Sequence, residues 1–466
     1  MVVIMQNTKV SNIIVGKDHE KVLKNILKII KPSAEEVEED HKFIRSFVDK
    51  LDKLTPKDVQ VILAGSTSRG TNLRGDRDFD VFMLLPKTYS VKELMSLGLK
   101  WAKNAVKGSK WELAYAQHPY LRAWVKGREI DIVPSYKISE ISEKETAVDR
   151  TPLHARYILT HITEQQKDDV RLLKQFLKGI GIYGAEGKIQ GFSGYQCELL
   201  ILAYGSFMKF IEEIANLKEV PIFDPEGKKP RDELKKMFPE AAMIYIDPVD
   251  SKRNVAAAVS KTSLSLLIYT ARKFLKEPSE KFFFPSDEKF DGKWMKKQLD
   301  GRDSKIFAIE FNAPGVVEDI KWPQYYKFAH KIMDRAKEYN FSVFDTDVIE
   351  KNNKCVLFVE FEIYQLPRIR KVVGPPLWYG RDVEEFMKRH KVTEPIWFEH
   401  DKILALDKRK FVHAEEFLGD VISNPASYGA PPDILKNMKS AKLLDINSIK
   451  KKYPEFLFAY LKKRNI

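Results

Sequence analysis

The chain has 466 residues, enough for about three domains, and 44% of them are hydrophobic, which excludes a mainly disordered polypeptide. Lys and Arg outnumber Asp and Glu by 79 to 66, and the resulting net charge of +13 suits a polyanionic partner without naming it. Two widely separated cysteines, Cys197 and Cys355, exclude a zinc motif or disulfide framework. The apolar Val2–Met5 stretch is too short for a signal peptide, and Leu199–Phe210 is broken by Gly205, Ser206 and Lys209 before it could span a bilayer. A reducing cytoplasm is therefore the expected compartment.

Taken in chain order, Asp18–Ile30 and Ala34–Leu51 read as amphipathic helices that precede a sheet. Val61-Ile62-Leu63-Ala64 reads as a short buried strand, turned by Gly65-Ser66 toward a helix or loop. A glycine there admits backbone N–H groups close to a triphosphate, and the serine adds a hydroxyl donor. In the next strand Phe79, Val81 and Met83 alternate with Asp78, Asp80 and Phe82, so both carboxylates project from one face. Two carboxylates at this spacing suit a pair of Mg²⁺ ions ~3.5–4 Å apart, because magnesium takes oxygen ligands and keeps substrate phosphates in its shell. Asp76 lies outside the strand and reads as solvated. A helix over Val91–Val106 and a strand over Trp111–Tyr115 follow. Lys126-Gly127 then reads as a tight turn between Tyr120–Val125 and Arg128–Val133. In its second strand Ile130 and Ile132 face one side, while Glu129, Asp131 and Val133 face the other. Alone, Asp131 fits an edge-strand charge, Gly65-Ser66 an ordinary turn and Asp78/Asp80 a solvated strand end. Together they form the pattern of a two-metal nucleotidyl transferase.

Residues 151–275 read as mainly helical. Val170, Leu173 and Leu177 mark a stripe with Lys174 beside it, and Tyr183 follows the helix-ending Gly179-Ile180-Gly181. A single apolar helix is expected over Tyr195–Ile214, and another over Asn254–Val259 after Arg253. Lys276–Asp291, rich in Lys, Pro and Phe, is a linker candidate. Lys305–Phe311, Trp322–Tyr339, Phe341–Ile349 and Lys354–Tyr364 then give a β-α-β-β unit, compatible with an RNA-binding sheet or a purely structural one. Over residues 367–440, Arg368, Arg370, Lys371, Lys388 and Arg389 mix with Trp378, Tyr379 and Phe386. That mixture fits phosphate contacts with base stacking, or a solvated basic face.

Gly65-Ser66 followed by Asp78 and Asp80 resembles the nucleotidyltransferase superfamily of polymerase β and the poly(A) polymerases. Several further segments narrow the resemblance to the archaeal, class I CCA-adding enzymes. They are Gly65–Thr71, Leu73–Gly75, Tyr115–Tyr120, Ile130–Pro134, Ala147–Pro152, Val170–Lys174, Gly181–Glu186, Gly191–Tyr195 and Asp247–Ala256. The resemblance implies an α/β (α+β) multidomain protein with a polymerase-β-like head (1–150) and a helical neck (151–275). An RRM- or ferredoxin-like body (290–366), a basic tRNA-binding tail (367–440) and a C-terminal segment returning to the body (441–466) would follow. It further implies template-independent addition of C, C and A to the 3′ end of tRNA from CTP and ATP, releasing pyrophosphate. Asp78, Asp80 and Asp131 would hold two Mg²⁺ ions. Ser66, Arg69, His118, His154, Lys174, Tyr183 and Arg253 would contact the nucleotide, and Arg368, Arg370 and Lys371 the RNA. The rivals are a poly(A)-polymerase-like or oligoadenylate-forming enzyme, and a non-catalytic RNA-binding protein on the same scaffold. The second sheet and basic tail favour a structured RNA over a small acceptor, and three intact carboxylates disfavour the inactive scaffold. The oligomeric state is open, a homodimer included.

Overall fold

A computed structural model describes residues 16–463 except 116–118, 228, 287–288 and 391–394. The chain divides into two compact units that meet in the sequence near residues 287–288.

In the first unit, α1 (Lys17–Ile30) and α2 (Ala34–Asp52) lead into β1 (Gln60–Ala64), the short helix α3 (Gly65–Arg69) and β2 (Asp78–Leu85). Then come α4 (Val91–Ala105), β3 (Lys110–Tyr115), β4 (Pro119–Val125) and β5 (Arg128–Tyr136). The strands form one sheet of order β1-β2-β5-β4-β3, in which β2 and β5 run parallel and the other neighbours antiparallel. The β4–β5 hairpin turns at Lys126 and Gly127, both with positive φ, as a two-residue loop compatible with strand twist requires. Alternation places Phe79, Val81, Met83, Leu121, Ala123, Ile130 and Ile132 on one face. There they pack with Ile44, Phe47 and Leu51 of α2 and Leu94 and Ala102 of α4. Three helix starts carry a local signal in the sequence. Ser33 with Glu36, Ser90 with Glu93 and Thr163 with Gln166 form reciprocal caps, each side chain satisfying a backbone N–H of the other.

The helical half of this unit comprises α5 (Thr151–His161), α6 (Glu164–Gly179), α7 (Gly194–Tyr204) and α8 (Phe207–Ala215). A two-stranded ribbon of β6 (Ile222–Phe223) and β7 (Ile244–Tyr245) flanks α9 (Arg231–Met237), and α10 (Lys261–Lys276) closes the core. Three expectations are corrected. The apolar run Tyr195–Ile214 is two helices, because Gly205 adopts φ +88° and Ser206 caps α8 through the Lys209 N–H. Asn254–Val259 is a turn rather than a helix. The Asn254 Oδ1 accepts the N–H groups of Tyr245 and Ala256, and its Nδ2 donates to the Met243 carbonyl, which ties the segment to the β7 backbone as a turn. Lys276–Asp291 is no free linker over its first part. Phe283 is fully buried against Phe176, Phe207 and Phe274, and Gly179 lies so close that a Cβ would sit 2.1 Å from the Phe282 carbonyl oxygen.

In the second unit, α11 (Gly292–Asp300) precedes β8 (Lys305–Asn312), α12 (Glu318–Glu338), β9 (Ser342–Lys351) and β10 (Lys354–Ile363). Next come β11 (Ile369–Pro376), α13 (Gly380–His390), β12 (Ile396–Glu399) and β13 (Lys402–Lys408). They are followed by α14 (Ala414–Ser423), α15 (Pro432–Asn437), β14 (Lys442–Leu444), α16 (Ile446–Lys452) and α17 (Pro454–Lys462). The β-α-β-β pattern forms, and β14 adds a fourth strand beside β8, giving the order β14-β8-β10-β9. The basic aromatic region makes a separate three-stranded sheet, β11-β13-β12. Phe417, Leu418 and Ile434, from α14 and α15, are buried with the α12 face of the four-stranded sheet.

Candidate active site

Parallel pairing of β2 with β5 sets Asp78 opposite Glu129 and Asp80 directly opposite Asp131. Period-2 alternation aims all four carboxylates away from the buried face that carries Phe79, Val81, Ile130 and Ile132. Strand β1 brings Ala64 level with Asp80, so the chain turns into α3 beside that carboxylate. Gly65 makes the turn at φ +72°, and a Cβ there would lie 1.9 Å from Asp80 Oδ2. Only glycine meets both conditions.

The acids repel one another. Burial, reinforced by Asp131, pushes Asp80 up to about 6, and burial with Glu129 raises Asp78. Asp131 is restrained by Arg122 of β4, whose Nε and Nη2 donate to its two oxygens at 2.8 Å each. The same Nε lies 2.8 Å from Glu129 Oε1. Among the described residues no three Asp, Glu, His or Cys side chains are gathered closely enough to hold a metal ion as they stand, and Arg122 occupies both Asp131 oxygens. The donor set nevertheless fits a hard divalent cation: three carboxylates on adjacent strands, two of them destabilised as anions, with Arg122 holding the third. Asp76 is not simply solvated, because Lys178 Nζ donates to both its oxygens at 3.0 and 3.1 Å.

The other sequence candidates fall into separate groups. Ser66 lies half-buried on α3, and Arg69 closes that helix with its Nε donating to both oxygens of Glu198 on α7, at 2.9 and 3.0 Å. Thr71 Oγ1 donates to the same carboxylate at 2.5 Å. Lys174 is almost wholly buried, deeper than a residue beside a stripe would be, and its Nζ donates to the Thr71 carbonyl at 3.0 Å. Burial lowers its pKa. One helical turn earlier, Arg171 donates to the Gly70 and Asn72 carbonyls, so α6 grips the loop after α3 at three consecutive residues. The Tyr183 hydroxyl and the Lys174 ammonium both flank Gly194, where a Cβ would stand 3.0 and 3.6 Å from them.

His154 and Arg253 are brought together about Asp247, as described below, while His118 lies outside the described residues. Arg368, Arg370 and Lys371 lie in the second unit and do not make one basic face. Arg370 and Lys371 are consecutive on β11 and point to opposite sides, where they pair with Asp407 and Glu399. The sequence reading missed Arg122, Arg171, Glu198, Tyr195 and Asp247 as site-shaping groups. Glu198 carried one usable signal, an acid inside the apolar run Cys197–Leu202.

Three family descriptions match in chain order. A nucleotidyltransferase domain covers residues 44–154, the second domain of tRNA nucleotidyltransferase covers 168–284, and the C-terminal domain of CCA-adding enzymes covers 302–440. The CCA-adding enzyme of Methanocaldococcus jannaschii is 35% identical over 444 residues, spanning 92% of this chain and 96% of that protein. That of Saccharolobus islandicus is 37% identical, spanning 90% and 96%. That of Archaeoglobus fulgidus is 34% identical, spanning 85% and 88%. With identity at this level along nearly the whole chain, over a head whose strand register sets Asp80 against Asp131, the chain belongs to the CCA-adding enzymes, a family of tRNA nucleotidyltransferases.

Proposed function

We propose that this enzyme adds C, C and A to the 3′ end of tRNA from CTP and ATP without a template, using Mg²⁺ held by Asp78, Asp80 and Asp131. The observation that carries the site assignment is the register of β2 and β5, which sets Asp80 against Asp131 with Asp78 on the same face and Gly65 in van der Waals reach. Two divalent ions bound there would stabilise the negative charge that grows on the α-phosphate and on departing pyrophosphate. The protein's own contribution is placement. Gly65 leaves room beside Asp80, and Glu198 fixes the buried Arg69 guanidinium at the end of α3. Lys174 and Arg171 anchor the loop that follows. Tyr183 and Lys174 flank Gly194 at the start of α7, and His154 with Arg253 would provide a second polar cluster for the base. Such positioning converts an unfavourable encounter of two anions into an ordered in-line displacement.

In the second unit, exposed Trp378, Tyr379 and Phe398 offer stacking faces, with Arg368 and the partly paired Arg370 and Lys371 nearby in sequence for the tRNA backbone. Among the described residues no helix is long and apolar enough to cross a membrane. The test mixes the protein with tRNA ending before the first C, Mg²⁺ and labelled CTP and ATP. Two C additions followed by one A, dependent on Asp80 and Asp131, is the expected product. Long homopolymer tails would instead favour the poly(A)-polymerase reading.

A further inference from the structure

One carboxylate in the helical half of the first unit is fully buried and receives four hydrogen bonds. Asp247 Oδ2 accepts from His154 Nε2 at 2.8 Å and from Arg253 Nη1 at 2.9 Å. Asp247 Oδ1 accepts from the Val249 N–H at 3.1 Å and the Tyr195 hydroxyl at 3.3 Å. An ionised carboxylate offers about four acceptor positions, so none is left for a ligand. Asp247 therefore acts through its neighbours.

Its effect on each neighbour follows from the donor and acceptor inventory. The carboxylate only accepts, so the imidazole of His154 must carry its proton on Nε2, and the neutral ring then presents Nδ1 as an acceptor. Burial keeps His154 on the neutral side by lowering its pKa. The Tyr195 ring stacks on that imidazole with centroids 4.0 Å apart and planes 21° from parallel, which restrains its rotation. Arg253 commits one terminal nitrogen to Asp247 and remains about one-third exposed. Its backbone is fixed as well, because the Asp247 N–H donates to the Arg253 carbonyl at 3.0 Å and the Arg253 N–H donates to the Asp250 carbonyl at 2.9 Å. Asp250 is in turn held by Lys144 and Arg150, each at 3.2 Å. Asp247 thus locks an acceptor on α5 and a donor on its own loop into one rigid unit.

We propose that Asp247 is a positioning residue for base selection, fixing the Arg253 guanidinium and the His154 tautomer before the nucleotide arrives. This rests on the reading that His154 and Arg253 face the nucleotide. Cytosine and adenine share an amino donor next to a ring-nitrogen acceptor, an order that uracil and guanine do not present. A guanidinium held in one orientation can discriminate on that order, whereas a mobile one hydrogen-bonds to any base edge.

The experiment measures kcat/KM for CTP, ATP, UTP and GTP on tRNA ending before the first C. The wild type, Asp247→Asn, Arg253→Ala and the double variant are compared, with melting curves to verify folding. Asp247→Asn is expected to cut the preference for CTP over UTP about tenfold or more while inhibition by inorganic triphosphate stays unchanged, and the double variant should lose no more than the worse single one. An unchanged CTP-to-UTP ratio in folded Asp247→Asn, or losses that multiply in the double variant, overturns the proposal. Should Asp247→Asn fail to fold, Tyr195→Phe removes one of the four bonds without burying a charge and should reduce the ratio in the same direction. The ¹⁵N spectrum of the histidine-labelled wild type gives an independent check. A neutral His154 protonated on Nε2 is expected, and protonation on Nδ1 overturns the assignment. If Arg253→Ala alone leaves all four nucleotides unaffected, the nucleotide-facing reading itself fails, and a wild type that incorporates nothing would refute the proposed function.

Discussion

Asp80, one of the three carboxylates proposed to hold Mg²⁺, is destabilising as a bare anion. It sits desolvated opposite Asp131 and close to Asp78, so its charge opposes folding unless a cation neutralises it. Asp80→Asn is expected to lower nucleotide incorporation by several orders of magnitude. In chelator the same change should raise the melting temperature, the usual trade between a strained site and stability. Near-normal turnover by this variant would remove Asp80 from the chemistry. Asp247 has the opposite sign. Burial works against its charge, but hydrogen bonds from His154, Val249 and Arg253 outweigh it and hold the carboxyl at about 2, below its ordinary 3.8. A depressed folded-state pKa contributes stability above the unfolded value and loses it as pH falls, here between roughly pH 4 and 2. The contribution is about 2 kcal/mol. Urea midpoints measured from pH 6 to 2 should therefore fall less steeply in Asp247→Asn than in the wild type. The acids on β2 and β5 were legible in the sequence because a strand has period 2, and an acid between apolar residues reports its own face. Asp247, Arg122 and Glu198 were not legible as site-shaping groups, since their partners lie on other elements and only tertiary packing brings them together.

At the scale of elements, α3 is the piece on which the site depends, and five residues make no stable helix by themselves. It is held by Gly65 against Asp80 and by Glu198 on α7, and the loop that follows it is anchored by Lys174 and Arg171 on α6. Gly65→Ala places a side chain at positive φ, at a cost of ~1–2 kcal/mol, and pushes Asp80 off its position. Turnover measured at full occupancy of folded protein should drop by far more than the melting temperature suggests, and an alanine variant with normal turnover would contradict the close approach. Glu198→Ala leaves the buried Arg69 guanidinium unpaired and is expected to cost about 3–5 kcal/mol in chemical denaturation. A loss under 1 kcal/mol would show that Arg69 finds solvent or another partner. Three helix starts carry a readable signal, because Ser33, Ser90 and Thr163 are followed three residues later by Glu or Gln, whereas α12 begins at Glu318, four residues before the expected Trp322. The break at Gly205-Ser206 and the turn at Asn254 were misread. In both places an apolar or alanine-rich run suggested continuous helix, while a single residue's backbone preference or side-chain hydrogen bonds decided otherwise.

For the whole molecule, the excess of positive charge argues for a nucleic-acid partner, but the charge is not where the count of basic residues suggested. Arg370 and Lys371 already face Asp407 and Glu399, so replacing them together with Arg368 by alanine should shift the salt dependence of tRNA binding by less than three phosphate contacts, each contact being about 0.7–0.9 in slope. Replacing Trp378 and Tyr379, which are 67% and 55% exposed, should weaken binding while leaving that slope intact, as stacking does. RNA titrations over a range of salt read both effects, and unaltered affinity in the aromatic variant would place the RNA surface elsewhere. The β-α-β-β order of the second unit was legible from spacing, whereas its fourth strand, β14, comes from residues more than a hundred positions downstream of β8 and left no local signal. Non-local pairing has a further consequence at the parallel seam between β2 and β5. Asp78 and Asp80 leave the ribosome together, yet Asp131 reaches them only after α4, β3 and β4 have been made and the crossover has closed. Closing a parallel pair over such a distance is slow, and here it must also overcome the mutual repulsion of the acids it unites. A nascent or partly unfolded head therefore holds two of the three proposed metal ligands and never all three. On that assignment, competence to extend an RNA end would arrive only with completion of the sheet, and an unfinished molecule would be silent toward every 3′ hydroxyl it meets.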